Sequence, residues 1–284
     1  MNIINAIINI VENPVVNLRE VYSGKNRANS MGGALEEYIK DMFSSTFNIT
    51  NESERLKKWS ETFSYLGNQN NPPDSMLKNG DSIEVKKIES PNSSLALNSS
   101  YPKDKLYSDS PMITATCRKC ESWSVKDIIY AVGHINNNRL NSLCMVYGMD
   151  YAASSDVYEK IKNVIKEGVT SIENVEFSKT KELGRVNKVD PLGITYLRIR
   201  GMWVIENPWR TFNYIYNRDF NNHFNFMAII NIEKWNSFDN KDTLIKLSTV
   251  DKRLEIVDVD IKDPNNPAVL KQVKLITFFV EEKL

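Results

Sequence analysis

Cysteine and histidine are scarce here: the 284-residue chain holds three of the first and two of the second. An odd, small cysteine count argues against a secreted disulfide framework and fits a reducing cytosol. Two histidines without a matched serine or cysteine nucleophile do not support a hydrolytic triad. Net charge is missing too, since 36 basic residues balance 36 acidic ones. Any footprint for a polyanion must therefore be local. There is no GxxxxGK[ST] loop, which excludes ATP-driven translocation by a P-loop. Long apolar runs are absent, and stretches such as "LITFFV" are far too short to span a bilayer. The N-terminal "MNIINAIINIVENPVV" is apolar at helical spacing (Ile4, Ile7, Ile8, Val11) but lacks a basic n-region and a cleavage site, so it reads as a core-facing helix. The expectation is a cytoplasmic protein with no membrane association.

What is present is an ordinary globular composition, 41% hydrophobic and 25% charged, which excludes disorder and collagen-like structure. The length suits one large domain or two modest ones. In "SMGGALEEYIKDMFSSTF" the apolar positions Met31, Leu35, Tyr38, Ile39, Met42 and Phe43 follow the helical period, with Ser30 as N-cap. Glu36 falls at the edge of that stripe and Glu37 points away from it. Residues 52–66 read as a further helical segment. Residues 89–111, rich in Ser, Asn and Pro, form a long loop whose Leu95, Leu97, Tyr101 and Leu106 mark it as ordered and functional. Strands follow at "VKDIIYAVGHI" and "SLCMVYG", then a helix at "DVYEKIKNVIKEG" with apolar Val157, Ile161, Val164 and Ile165 and Gly168 as its C-cap. From about residue 181 the chain becomes richer in strand-type and aromatic residues.

The stretch "NPPDSMLKNGDSIEVKKIES", residues 71–90, places charges in a half-buried hairpin. A three-residue loop, Lys78-Asn79-Gly80, with Gly80 in the left-handed conformation, sets Met76 opposite Ser82 and Asp74 opposite Glu84. Glu84 and Lys86 then share a face, while Leu77, Ile83 and Val85 turn into the core. A two-residue turn at Asn79-Gly80 would instead put Asp74 and Glu84 on opposite faces. Two facing carboxylates repel unless a cation sits between them, and oxygen-only ligation suits Mg²⁺. A lysine beside them can orient an attacking water, the arrangement for metal-assisted phosphodiester hydrolysis. The bland reading is a charged, solvated hairpin face.

The spacing Pro-Asp, nine residues, Glu-x-Lys resembles the PD-(D/E)xK nuclease signature. That resemblance implies Asp74 and Glu84 as metal ligands completed by the Val85 carbonyl, Lys86 as the water-positioning lysine and Glu36 as an auxiliary acid. Longer stretches, "RANSMGGALEEYIKDMF", "DSIEVKKIES", "LALNSSYPKDKLYSDSPMIT" and "KDIIYAVGHI", resemble the NgoPII family of type II restriction endonucleases over roughly the first 160 residues. The resemblance implies an α/β fold with a PD-(D/E)xK core, a central mixed sheet flanked by helices. It also implies a homodimer that cuts unmodified double-stranded DNA with Mg²⁺ at the palindrome GGCC. A cognate methyltransferase would act on the same site without binding the enzyme. The domain expectation is a nuclease core over residues 1–180, including loop 89–111, and an appended α+β region over 181–284 for DNA recognition or dimerisation.

Guanine reading calls for arginines or lysines reaching the major groove. In "TYLRIRGMW" Arg198 and Arg200 share one strand face, and Arg210 follows beside Trp209. Ser94, Asn98, Ser99, Ser100, Lys103 and Lys105 of the long loop are the candidates for phosphate and groove contacts. The alternative for each is a solvated polar surface. Cys117 and Cys120 supply two of the four ligands a structural zinc needs, with no second pair at suitable spacing. Two other functions stay open on sequence: a structure-specific repair or resolving nuclease on the same core, and a DNA-binding module with an inert hairpin.

Overall fold

The structure, a computed structural model, describes residues 1–14, 17–18, 22, 31–68 and 71–281. Helix α1 (Ile3–Glu12) starts in a reciprocal cap: the Asn2 side chain accepts from the N–H groups of Ile4 and Asn5, and Asn5 accepts from the Asn2 N–H. Orphan donors of the first turn are thereby satisfied. Helix α2 (Met31–Ser44) buries Ala34, Leu35, Tyr38, Ile39, Met42 and Phe43, as the sequence period requires. Its expected cap, Ser30, lies outside the described residues. Glu37 does not point away. Helix α3 (Glu52–Thr62) packs on that flank of α2, and Glu37 is buried 2.7 Å from Arg55, which also meets Asp41 at 2.7 Å.

The helix read over 52–66 ends at Thr62. Phe63–Asn68 is strand β1, drawn into extended backbone by antiparallel pairing with β2 (Asn71–Leu77). Next come β3 (Ser82–Ile88), β4 (Leu95–Asn98), β5 (Lys105–Tyr107), β6 (Val125–Asn136) and β7 (Arg139–Tyr147). Helix α4 (Ser155–Thr170), strands β8 (Gly184–Val186), β9 (Leu197–Ile199), β10 (Trp203–Ile205) and β11 (Phe224–Asn231), helix α5 (Lys241–Val250), β12 (Leu254–Lys262) and β13 (Leu270–Val280) complete the long elements. Gly168 does not stop α4, because it takes no left-handed conformation; the helix runs to Thr170 and Ser171 caps it.

The main sheet has the order β1-β2-β3-β6-β7-β11-β13-β12, with β5 added on β6. Pairs β3–β6 and β7–β11 are parallel and the others antiparallel, so the sheet is mixed. It runs across the boundary expected near residue 180, since β11 pairs with β7 from Asn225 opposite Ser142 to Ile229 opposite Val146. All eight residues of β11 are buried, the mark of a strand covered on both faces. Residues 184–205 stay off this sheet, as the ribbon β8–β9 and as β10, which pairs with β4 of the long loop.

Side-chain alternation sorts the core into two layers. Ile83, Val85, Ile129 and Ala131 join α1, α2 and Leu244 of α5 on one face. Ile88, Ile128, Tyr130 and Val132 join Leu95, Leu97, Trp209 and Phe212 on the other. Glu84 and Lys86 belong by parity to the second face, beneath the ribbon β4–β10.

Candidate active site

The loop between β2 and β3 is the three-residue one. Leu77 donates its N–H to the Asp81 carbonyl at 2.9 Å, and Met76 pairs with Ser82. The left-handed residue is Asn79 (φ 52°), not Gly80. Asparagine tolerates that region, and Gly80 serves instead for close approach: a Cβ there would lie 3.1 Å from the Leu77 Cβ. Extending the register past Ser75–Ile83 sets Asp74 across from Glu84, at a non-hydrogen-bonded position where facing side chains come closest. Pro73 precedes Asp74, and the Asp74 carboxylate accepts the Val85 N–H at 2.6 Å.

Lys86 donates to Glu84 Oε1 at 2.6 Å; the two side chains are 24% and 14% exposed. Glu84 Oε2 is buried with no hydrogen-bond partner. Burial and the Glu84 charge push the Asp74 carboxyl up to about 8, against the pull of Lys86 and the Val85 N–H. Burial disfavours the Lys86 ammonium, but Glu84 and Asp74 outweigh it and raise its pKa, so the amine stays charged. Glu36, on α2, is half-buried; burial raises its pKa, Lys40 and Lys86 lower it, and Glu84 adds to the rise. All four titrating groups thus share one electrostatic environment.

Asp74, Glu84 and Lys86, but not Glu36, open into a cleft of about 610 Å³. Asp74, Glu84 and Lys86 form its base, Asn98, Ser99 and Ser100 one wall, and Arg200, Gly201 and Trp203 another. Lys162 of α4, Lys181 and Glu182 also line it; sequence reasoning did not find them. Arg198 and Arg200 do share a face, because both reach Glu182: Arg198 through Nε (2.9 Å) and Nη2 (2.5 Å), Arg200 through Nε (2.8 Å). Arg210, on the turn Pro208–Thr211, pairs with Glu206 at 3.1 Å and is not among the cleft-lining residues.

The remaining loop candidates are dispersed. Lys103 is buried, donates to Ser100 Oγ at 2.6 Å, and burial pushes its pKa down to about 8. Its backbone N–H bonds the Tyr130 hydroxyl at 2.8 Å, and Tyr130 is the β6 neighbour of Glu84. Lys103 therefore ties the loop behind Glu84 and is not among the cleft-lining residues. Lys105 lies 3.6 Å from Asp127 and lines a neighbouring pocket of about 290 Å³. Ser94 follows Ser93, whose carbonyl accepts from Asn207 at 2.7 Å, outside the cleft. Cys117 is buried 3.4 Å from the Met76 sulfur, and the Cys120 thiol donates to the Cys117 carbonyl, so both serve packing.

The donor set fits a divalent cation. An orphaned, buried Glu84 oxygen and an Asp74 held up by its neighbour are both relieved by positive charge between them. Among the described residues no cluster of three or more His, Cys, Asp or Glu forms a cage. One or two carboxylates completed by water and substrate phosphate is the usual Mg²⁺ arrangement.

Among the described residues no helix is long and apolar enough to cross a membrane. No solved structure matches the chain. The family model "NgoPII restriction endonuclease" matches residues 1–262. The type II restriction enzyme NgoPII of Neisseria gonorrhoeae is 58% identical over 279 residues, covering 98% of this chain and 99% of that protein. With this match running over nearly its whole length, the chain belongs to the NgoPII restriction endonuclease family.

Proposed function

We propose that this type II restriction endonuclease is a PD-(D/E)xK enzyme that hydrolyses both strands of double-stranded DNA with Mg²⁺ at a short palindrome, GGCC. The observation that carries the reading is the base of the cleft: Asp74 faces Glu84, Lys86 bonds Glu84, and one Glu84 oxygen is buried and unpartnered. Asp74, Glu84 and the Val85 carbonyl would hold the ion, which when bound acidifies a water and polarises the scissile phosphate. Lys86 keeps its proton, holds the attacking water by its oxygen and offsets charge at phosphorus. Glu36 adds a carboxylate to the same field. No covalent enzyme intermediate is required. Arg198 and Arg200 read guanine, and Asn98, Ser99 and Ser100 contact the backbone, joined by Lys162 and Lys181. The enzyme works as a cytoplasmic homodimer, and a methyltransferase protects the same sequence without binding the endonuclease. Digestion of unmethylated plasmid with Mg²⁺ and with EDTA tests this. Discrete Mg²⁺-dependent fragments whose ends read GGCC are expected. A smear, or fragments insensitive to EDTA, would defeat it.

The Asp74 proton gives the reaction a pH signature. Its folded pKa, about 8, lies above the ordinary 3.8. Stability from the bound proton is therefore complete below the ordinary value and lost as pH rises through the folded one. The metal-free enzyme should melt at falling temperature between about pH 4 and 8 and level off above that. Because the proton must leave for the ion to bind, Mg²⁺ affinity should rise by up to roughly tenfold per pH unit until about pH 8. Calorimetric Mg²⁺ titrations at several pH values read this directly; an affinity independent of pH would contradict it. Asp74→Asn should flatten both profiles.

Glu182 has a further consequence. Engaging Nε of Arg200 leaves its terminal nitrogens for a base edge, and the same carboxylate fixes Arg198. Glu182→Gln should lower discrimination between the cognate site and singly substituted sites by about tenfold, a fraction of what a good bidentate pair supplies. The ratio of kcat/KM on the two substrates measures it, and an unchanged ratio would dismiss the role.

A further inference from the structure

Helix α4 is amphipathic in the wrong sense for a lone chain. Its inward flank carries Tyr158, Lys162, Lys166 and Val169: Lys162 lines the cleft and Lys166 donates to the Thr180 carbonyl at 3.0 Å. Its apolar stripe, Val157, Ile161, Val164 and Ile165, is 46 to 58% exposed, and no residue of the helix is buried. A helix of a soluble protein turns such a stripe to a core, and a contiguous exposed one marks an interaction surface. We propose that the cover is α4 of a second copy of this chain, packed antiparallel across a two-fold axis.

The helix itself selects this occupant. Val157, Ile161, Val164 and Gly168 follow one another at steps of four, three and four, the alternation of a two-helix seam. Beyond Gly168 nothing lies within 4 Å of where a Cβ would stand, so a facing backbone can approach closely. Antiparallel packing sets Ile161 against Val164 of the partner subunit and Val157 against Gly168 of the partner subunit. Charge then fixes the direction. Lys160 and Glu167 flank the stripe on one side, both are exposed, and neither has an ion-pair partner among the described residues. The antiparallel arrangement brings Lys160 beside the partner's Glu167, twice by symmetry. A parallel one would set these charges against Ile165 and Ile172 instead. Ile172 and Val175, also exposed, prolong the seam beyond the helix.

Lys162 projects from the flank of the helix, about 115° round from the centre of the stripe at 3.6 residues per turn, so the stripe can be covered while Lys162 stays in the cleft. The two-fold would therefore hold two clefts beside the α4 pair, one for each strand of a duplex. That consequence rests on the nuclease reading; the interface rests on exposure, spacing and charge alone.

Sedimentation of the full chain across roughly 0.1–100 µM, a span that brackets a micromolar dissociation constant, with and without DNA, tests the interface. The wild type should form a dimer. Ile161→Glu, on an exposed position, should melt like the wild type and raise the dimer dissociation constant about a hundredfold, since symmetry counts the change twice. Lys160→Glu and Glu167→Lys should each weaken the dimer about tenfold, and their combination should restore it to within about twofold. A monomeric wild type would overturn the proposal and leave the stripe to an unrelated protein. Undiminished dimers of Ile161→Glu, or a double variant no better than the single ones, would overturn it as well. An intact dimer that fails to cut DNA would sink the nuclease reading and leave the interface standing.

Discussion

Glu84→Gln is expected to lower DNA cleavage by about a thousandfold or more, with DNA binding unchanged or tighter. The substitution keeps the shape of the side chain and removes the charge. In the native site Glu84 Oε1 takes the Lys86 ammonium at 2.6 Å, and Oε2 is buried with nothing to satisfy it. An amide can still accept from Lys86 on its oxygen, but its NH₂ end would occupy the orphaned position and repel a cation instead of binding one. Asp74 alone would then have to hold the ion, and burial already works against its ionisation. Removing a negative charge from the base of a cleft that receives phosphates should, if anything, favour binding. Nicking and linearisation of supercoiled plasmid measure the rate, and anisotropy of a labelled duplex in Ca²⁺ measures binding. Cleavage within tenfold of the wild type would remove Glu84 from the site. Lys86→Met provides the complementary loss: a water left unpositioned and two carboxylates left without their ammonium.

The hairpin was legible because loop length fixes parity. Once three residues separate the strands, Asp74 and Glu84 have no choice but to face one another, and Leu77, Ile83 and Val85 must enter the core. Which residue takes the left-handed conformation was not legible, since Asn79 and Gly80 both allow it and the contact that decides is with Leu77. Glu37 escaped for a different reason. A helical wheel describes one helix and contains nothing about α3, which supplies Arg55 from 18 residues further on. Residues 63–68 became a strand through partners three to fourteen residues away, a pairing that local periodicity does not contain. The cleft was half visible: its base and the loop Asn98–Ser100 are close in sequence, whereas Lys162, Lys181 and Glu182 arrive from far beyond the hairpin in the chain. Lys103 shows the converse, a lysine whose loop reads as solvent-facing but whose amine is drawn down onto Ser100 and Tyr101.

Arg55→Met should reduce folding stability by about 3–5 kcal/mol, the penalty for leaving buried charges without their partner. Arg55 is 1% exposed and serves two carboxylates at once, Glu37 through Nη2 and Asp41 through Nε, each at 2.7 Å. Asp41 also accepts from the Trp59 indole at 3.1 Å and from Thr46 at 2.5 Å, and the guanidinium lies 4.1 Å from the centre of the Trp59 ring. Those neighbours cannot replace a cation. Once the arginine is gone, Glu37 and Asp41 repel each other across one turn of α2 in a medium that screens poorly. The contact to Glu52, at 3.3 Å and largely solvated on the Glu52 side, belongs to the class that contributes at most about 1 kcal/mol. Glu52→Gln is therefore the control that should change little. Urea unfolding of the three proteins decides the matter, and a loss below about 1 kcal/mol for Arg55→Met would refute the assignment. The effect bears on catalysis through connectivity. Glu36 sits one residue before Glu37, and α3 runs directly into β1, which pairs with the strand carrying Asp74. Activity per folded molecule should survive the substitution while the folded population falls, so cleavage by Arg55→Met should track its unfolding curve, unlike cleavage by Glu84→Gln.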